Sequence, residues 1–535
     1  FAIERDGESF RIVGVSKDIE AHFSQRREQI LEALRAEGHY SAKAAEIAAL
    51  DTREAKKDLT AEDLRPDWQE RAAAFGLMPQ HVEALATGSP AVALEAPSAD
   101  EILRLATEHE ALLREQDLAT AAFQAAQGVT GFEGAKEILA DVVVRAVVLA
   151  DDRGRLHFST QELVEKERQT FDDSVARRDE RNHQLSPEQI AKAIADFEAR
   201  KTDELRAAGA LGEEEVYRLK PEQADAVRHL CGESGGVAFL IGDAGTGKTT
   251  ALEAVKEAYE AAGFRVVGAA LRGKAAAGLE GDAGIRSATI ARTLIDIERG
   301  ELKLDAKTIL VIDEAGMVDS RNAFALTRLA NDAGAKIINA GDAKQLQAVG
   351  AGTSFRHLSE KEACGHARLA DITRQHDERD REAIKALAAG DVEKAFASFI
   401  DRDMVTIVQT NDQAYRECAR LAVEASAGRN LNQILLPAAT NADARNLNAA
   451  VRDALKAEGK LAEGVRVTTQ TKFGEQKIEV AAGDRVLVVK NDNETGLRNG
   501  DFASVVAVER RGDVDMLRVR IDRTKSEILI APERL

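Results

Sequence analysis

The sequence predicts an α/β chain: a parallel sheet with crossover helices at its centre, a mainly helical region before it, and a small β-barrel-like module after it. Three observations carry this. From residue 236, short apolar runs ("GVAFLIG", "FRVVGAAL", "TILVID", "AKIINAGD") alternate with helical patterns, and strand–helix alternation marks a parallel sheet. The first part of the chain is rich in Ala, Glu, Arg and Lys, with apolar residues at helical spacing. Towards the end the texture turns to strand, in "VRVTTQTKF", "QKIEVAAGDRVLVVKND" and "ASVVAVERRGDVDMLRVRI".

Bulk properties bound the function. A length of 535 residues implies roughly three to four domains. With 44% hydrophobic and 31% charged residues the composition is that of a soluble globular protein. No apolar run is long enough for a transmembrane helix, so no membrane insertion is expected. The N-terminal "FAIERDGESF" has no initiator Met and no signal-peptide pattern, and both ends read as cut from a longer polypeptide. Cys231, Cys364 and Cys418 lack metal-site spacing, which suits a reducing cytoplasm. A net charge of −19 argues against a broad nonspecific nucleic-acid surface, while leaving room for a local basic channel.

Taken in order, residues 1–95 read as a helical linker region. "SQRREQILEALRAEG" predicts a helix with Ser24 as N-cap and Gly38 as stop. "SAKAAEIAALDTREAKKDLT" predicts another, no strand is expected, and the charge reads as a solvated helical face. "TGSPAVALEAPSAD" is a linker candidate. Residues 96–215 read as helices followed by a hairpin in "VVVRAVVLADDRGRLHFST", an order similar to a winged helix. Residues 216–365 hold the first strand–helix set and 366–458 the start of a second, with strands expected at "MVTIVQ" and "QILLPAAT". Residues 459–535 make the terminal β module.

The chemistry begins at "IGDAGTGKTT". Gly242 to Thr249 fit G-x-x-x-x-G-K-[ST] between a strand and a helix, the setting of a phosphate loop. Glycine lets the backbone curl so that its N–H groups face phosphate oxygens, and the helix N-terminus adds positive potential. Gly242, Gly245, Thr246, Gly247, Lys248, Thr249 and Thr250 are the candidate ATP cradle. Lys248 would reach the β and γ phosphates, and the Thr249 hydroxyl would hold Mg²⁺. In "TILVIDEAGMV" an apolar strand ends at Asp313 and Glu314. Asp313 suits the Mg²⁺ shell and Glu314 the deprotonation of an attacking water. Two adjacent carboxylates with divided roles point to nucleotide hydrolysis.

"INAGDAKQLQAVGAG" resembles the third motif of superfamily-1 helicases, GD-x-x-Q-L. The resemblance implies two RecA-like lobes and assigns Gln345 to sensing the γ-phosphate. With that family in view, "LKPEQADAV" resembles the Q motif, with Gln223 reading adenine. "AALRGKAAAGL" resembles motif Ia, with Lys274 on nucleic-acid phosphates. "SATIARTL" resembles the next DNA-contact motif, with Thr289 as contact and Ile290 where the family has His. "ADITRQ" resembles motif IV, in which Arg374 would be an arginine finger, a device worth ~10³–10⁵ in rate. "LLPAATNADARNLNAAVRDAL" is similar to the opening of the second lobe in RecD-like helicases. There Thr440, Asn441 and Arg452 are candidate DNA or interlobe contacts, and Asn441 reads equally as an N-cap. "GDRVLVVKNDNETGLRNGDFASVVAV" resembles that branch's SH3-like insertion, with Asn499 and Gly500 at its tight turn and Lys490 or Arg498 as DNA contacts. Phe355 is a candidate stacking platform for bases, and equally a core residue.

The segments "GVSKDIEAHFSQRREQILEAL", "LRPDWQERAAAFGL" and "LHFSTQELVEKE" look like the part joining relaxase to helicase in TraA-type conjugative relaxases. That resemblance implies a motor on single-stranded DNA driven by ATP and Mg²⁺, running in the 5′→3′ direction that the RecD-like branch implies. It implies as partners the rest of a larger relaxase polypeptide and a conjugative secretion apparatus. The family's His cluster and nicking Tyr are not matched, since Tyr40, Tyr217, Tyr259 and Tyr415 lie in helical contexts, so no strand nicking is expected. The chain ends at "IAPERL", before the family's fifth and sixth motifs, and the second lobe reads as incomplete. Two other readings stand beside this one: an ATP-independent DNA-binding scaffold for the transfer origin or secretion channel, and a RecD-like repair helicase.

Overall fold

Strands buried on both faces must be apolar along their whole length, and the runs in the middle of this chain meet that condition. In the computed structural model they form a six-stranded parallel sheet. The structure describes residues 3–6, 9–23, 61–86, 96–151, 153–243, 245–342, 348, 350–352, 354–360, 364–371, 377–426, 434–471, 474–488, 495, 497, 500–511 and 514–532. Two compact units are present, one of residues 91–405 and one of residues 1–90 with 406–535.

The chain opens with a hairpin of β1 (Ile3–Asp6) and β2 (Ser9–Ile12), then α1 (Lys17–Phe23), α2 (Ala61–Ala74) and α3 (Pro79–Ala86). The hairpin corrects the expectation that this region holds no strand. Strands of four residues are too short to register as an alternating pattern. The helices expected from Ser24 to Gly38 and over residues 41–60 lie outside the described residues.

The second unit begins with α4 (Ala99–Ala106), α5 (Glu115–Ala126) and α6 (Phe132–Arg145). Next come the hairpin of β3 (Val147–Ala150) and β4 (Leu156–Ser159), then α7 (Gln161–Ala176). Ile102, Leu103, Leu118, Val142 and Phe158 form the core of these elements. The hairpin falls where the apolar run and the "DDRG" turn place it. α8 (Pro187–Ala207) starts on a capping box of Ser186 and Gln189 with proline at its first position.

α9 (Pro221–Arg228) and a π-helical turn (His229–Glu233) lead into the sheet. Its elements are β5 (Val237–Gly242), α10 (Lys248–Ala261), β6 (Arg265–Ala270), α11 (Gly273–Ala283), β7 (Ser287–Thr289), α12 (Ile290–Glu298) and β8 (Thr308–Asp313). After a 3₁₀ turn (Ala315–Met317) follow α13 (Ser320–Asp332), β9 (Lys336–Gly341), α14 (Ser354–Glu360) and β10 (Gly365–Leu369). The strand order is β10-β5-β9-β8-β6-β7, and every pairing is parallel. Leu240, Ile309, Val311, Ile338 and Ala340 pack on one face, and Phe239, Leu310, Ile312 and Ile337 on the other. β10 pairs with β5, so the first sheet continues past the boundary expected at residue 365. "GHARL" carries too few apolar residues to announce itself, because an edge strand is only half covered. α15 (Glu378–Ala388) and α16 (Val392–Ile400) complete the unit.

In the first unit α17 (Asn411–Ala425) and α18 (Asn441–Ala457) are followed by β11 (Val465–Thr471), β12 (Gly474–Val480), β13 (Arg485–Leu487), β14 (Phe502–Arg511), β15 (Val514–Ile521) and β16 (Glu527–Ile530). The apolar run at residues 404–409 and the described part of the run at 432–440 are irregular. No second parallel sheet occurs among the described residues. Alternation alone does not make a strand without a partner to pair with, and Ile407 is 87% exposed. The region read as an SH3-like barrel forms an antiparallel pair, β11-β12, and a four-stranded antiparallel sheet, β13-β14-β15-β16. Val467, Val480, Val505, Leu517 and Val519 give the two a common core. Closure into a barrel is not among the pairings of the described residues.

Candidate nucleotide and DNA site

In an open parallel sheet, ligands gather beyond the carboxyl ends of the strands, and the sequence motifs collect on that edge. β5 is buried along its length and flanked by β10 and β9, which holds the loop after Gly242 at the carboxyl end of the sheet, one strand in from its β10 edge. The loop turns on Gly245 and Gly247, both left-handed at φ 80° and 86°, a conformation that disfavours any residue with a Cβ. A Cβ on Gly242 would lie 2.7 Å from Thr246 Oγ1 and 3.2 Å from Leu369 Cβ, so neighbouring strand and loop already fill that space. Thr246 Oγ1 donates to the Asp243 carbonyl at 2.8 Å. The Lys248 ammonium donates to the Gly242 carbonyl and, at 3.2 Å, to that of Asp243. Thr249 and Thr250 follow in the first turn of α10, partly buried.

Gln223 approaches the loop from behind. It is 5% exposed; its Oε1 accepts from the Lys220 N–H at 3.1 Å and its Nε2 donates to the Gly247 carbonyl at 3.3 Å. The side chain read as an adenine contact thus also braces the phosphate loop.

Asp313 ends β8. Burial raises its pKa, opposed by the N–H of Glu314, which donates to Oδ1 at 2.9 Å, and by the charge of Lys248. Glu314 is held left-handed at φ 52°, a costly state for a residue with a Cβ and one that clusters at functional sites. The cause lies next to it. A Cβ on Gly316 would lie 2.8 Å from the Asp342 carbonyl, and one on Gly341 would lie 3.0 Å from the Gly316 nitrogen. The chain leaving β8 must therefore bend sharply past the chain leaving β9. Asp342 is 8% exposed there.

Ala270 at the end of β6 is in register with both Asp313 and Thr289, so the same edge runs on to the candidate DNA contacts. Lys274 is exposed in the first turn of α11. Thr289 Oγ1 accepts from the Arg292 N–H at 3.2 Å and caps α12. Gln345, Arg374, Lys490, Arg498 and Asn499 lie outside the described residues.

Three candidate DNA contacts have partners within the fold. Phe355 is 5% exposed, with its ring 5.6 Å from that of Phe239, so it is a core residue and presents no stacking face. Thr440 caps α18: its hydroxyl donates to Asp443 Oδ2 at 2.7 Å and accepts from the Asp443 N–H at 3.1 Å. Arg452 is bound to Asp484 and lies 3.4 Å from Glu479. Asn441 is the first residue of α18.

Sequence reasoning missed the residues that tie the N-terminal helices to the sheet. Arg321 pairs with Glu162 at 3.0 Å and donates to the Thr107 carbonyl at 3.0 Å. Ser320 Oγ donates to Glu167 Oε1 at 2.6 Å. These partners stand more than 150 residues apart, beyond any local pattern.

Two protein families match this chain. The AAA domain family matches residues 218–410, the sheet and its motifs. The TrwC relaxase family matches residues 1–75, read above as a helical linker. The conjugal transfer protein TraA of Rhizobium radiobacter is 39% identical over 290 residues, 54% of this chain and 26% of that protein. Over that stretch the chain is similar to the TraA conjugal transfer proteins. TraA of Agrobacterium fabrum is 37% identical over 292 residues, covering 54% of this chain and 26% of its own length. The multifunctional conjugation protein TraI of Escherichia coli is 31% identical over 190 residues, 34% of this chain and 11% of that protein. The chain thus spans about a quarter of the length of its TraA relatives. Among solved structures, two Pif1 helicases coordinating at forked double-stranded DNA align with a TM-score of 0.36 and 22% identity over 58% of this chain and 75% of theirs. Bacteroides Pif1 bound to single-stranded DNA aligns with a TM-score of 0.35 and 20% identity, over 58% of this chain and 73% of its own. No helix among the described residues is long and apolar enough to cross a membrane.

Proposed function

We propose that this chain is the helicase motor of a conjugative DNA-transfer relaxase, an ATP-dependent translocase that runs 5′→3′ on single-stranded DNA in the cytoplasm. Its partners are the remainder of a larger relaxase polypeptide and a secretion apparatus. One observation carries the reading: the phosphate loop, Gln223, Asp313 and Glu314 meet on the edge of the sheet that also carries Lys274 and Thr289.

The residues fit a magnesium nucleotide. Two left-handed glycines keep the loop free of side chains at its turns, the N-terminus of α10 points into it, and a buried carboxylate feels the charge of Lys248. When bound, Mg·ATP supplies a phosphoanhydride bond whose cleavage releases free energy. Lys248 and the amides of residues 245–248 hold its phosphates, Thr249 and Asp313 its metal, and Gln223 the adenine. Glu314 orients the attacking water and accepts its proton. Gln345 and Arg374 register the γ-phosphate, and Lys274 and Thr289 grip the DNA backbone.

The test is ATP turnover with and without a single-stranded oligonucleotide, paired with strand displacement from 5′-tailed and 3′-tailed duplexes. DNA-stimulated turnover and displacement from the 5′ tail are expected. Displacement from the 3′ tail alone would overturn the polarity. Stimulated turnover surviving in Lys248→Ala would overturn this motor site, and DNA binding without any turnover in the wild type would favour an ATP-independent scaffold.

A further inference from the structure

The carboxylate of Glu222 joins the nucleotide pocket to the chain that leaves its sheet. Glu222 sits in the first turn of α9, next to Gln223. Its Oε2 accepts from two consecutive main-chain N–H groups, Ala370 at 2.7 Å and Asp371 at 3.0 Å. These amides follow the last residue of β10, Leu369, which is in register with Gly242 of the phosphate loop. One oxygen therefore gathers two donors where the chain departs towards Arg374, and hydrogen bonds to an ionised acceptor are roughly twice as strong as neutral ones. The same helical turn touches the loop itself through Gln223 and the Gly247 carbonyl.

We propose that Glu222 is a positioning residue that couples occupancy of the nucleotide pocket to Ala370 and Asp371 at the end of β10. The inference rests on the reading of this pocket as an ATP site. A shift of α9 when the loop closes on phosphate moves Gln223 and Glu222 together, because both belong to one turn of helix. The paired amides of Ala370 and Asp371 follow the carboxylate. A carboxylate suits this task because it holds both amides by charge yet breaks no covalent or packed contact when they move.

Hydrogen exchange of the full chain, read by mass spectrometry on a peptide spanning residues 366–378, tests this with and without Mg²⁺ and the non-hydrolysable analogue adenylyl-imidodiphosphate. In the wild type the analogue is expected to slow exchange of this peptide at least fivefold. In Glu222→Ala the response is expected to vanish, with analogue affinity held within twofold. Glu222→Gln keeps an acceptor of the same length and is expected to restore at least half of the response. A helix cap of purely structural value would raise exchange in Glu222→Ala equally with and without analogue. That outcome, or a full nucleotide response in Glu222→Ala, overturns the proposal. So does a wild type that binds the analogue without any change in this peptide. Failure of the wild type to bind the analogue would instead reject the ATP site, and the affinity measurement separates the two.

Discussion

Lys248, the first residue of α10, and Asp313, the last residue of β8, are coupled: the lysine's charge opposes the burial that raises the pKa of the aspartate. The two come from strands separated by β9, so the coupling is made by the fold and not by proximity in the chain. Lys248→Ala removes both the phosphate ligand and the charge that favours ionised Asp313. DNA-stimulated ATP turnover is expected to fall at least 100-fold, measured by phosphate release, with the melting temperature shifting by only a few degrees because Lys248 is partly exposed.

Glu314 carries both chemistry and strain. Glu314→Gln keeps its shape and hydrogen-bonding reach but cannot take a proton, so turnover is expected to fall by about 10²–10⁴ with nucleotide affinity unchanged. Glu314→Gly should lose turnover equally. Because glycine accepts φ 52° without penalty, it should also unfold at equal or higher denaturant concentration, a gain of up to about 1 kcal/mol. Loss of stability in the glycine variant would show that the carboxylate holds the loop.

Phe355 and Lys274 should separate cleanly. Phe355→Ala empties a ring-sized space against Phe239 and is expected to cost about 3–5 kcal/mol of stability, with DNA affinity at low temperature unchanged. Lys274→Ala should leave stability within about 0.5 kcal/mol. It should weaken binding of every single-stranded sequence alike and reduce the slope of log K against log salt by about 0.7, measured by fluorescence anisotropy across a salt series.

The legible part of the site was the part encoded locally. Lys248 and Thr249 follow glycines at the spacing of a phosphate loop, and Asp313 ends an apolar strand. Both patterns fit within one strand–turn–helix, so sequence neighbours suffice. Phe355 was open to two readings because a helix places the same residue type on core or surface, and only the fold decides which. Asn441 was open to two readings, contact or N-cap, and the fold gives the cap to its neighbour Thr440. Glu222 lay beside Gln223 in a quoted motif, yet its partner amides stand 148 residues away. β10 escaped notice because an edge strand needs little apolar sequence, and the first hairpin because four-residue strands carry too little pattern.

Lys336 makes the stability of this chain pH-dependent above neutrality. It opens β9, is fully buried, and donates to the Leu230 carbonyl at 2.7 Å and to Ser234 Oγ at 2.8 Å. Burial, aided by the charge of Arg177, lowers its pKa from 10.5 to about 7. Between these values the unfolded chain binds a proton that the folded chain does not, so stability attributable to this group rises with pH, by at most about 1.4 kcal/mol per pH unit. Below about 7 both states are protonated and the contribution is flat. Above the unfolded value both are neutral and it is flat again. Cys231, pushed up to about 12 by burial against the opposing charge of Lys336, pulls the other way only above its ordinary value of 9.0, the top of the range tested. Urea unfolding of the wild type and Lys336→Met at pH 7, 8 and 9 therefore isolates the lysine. The wild type should gain on the variant at each step. A constant difference would mean that the ammonium stays charged in the fold, held by the carbonyls of the π-helical turn.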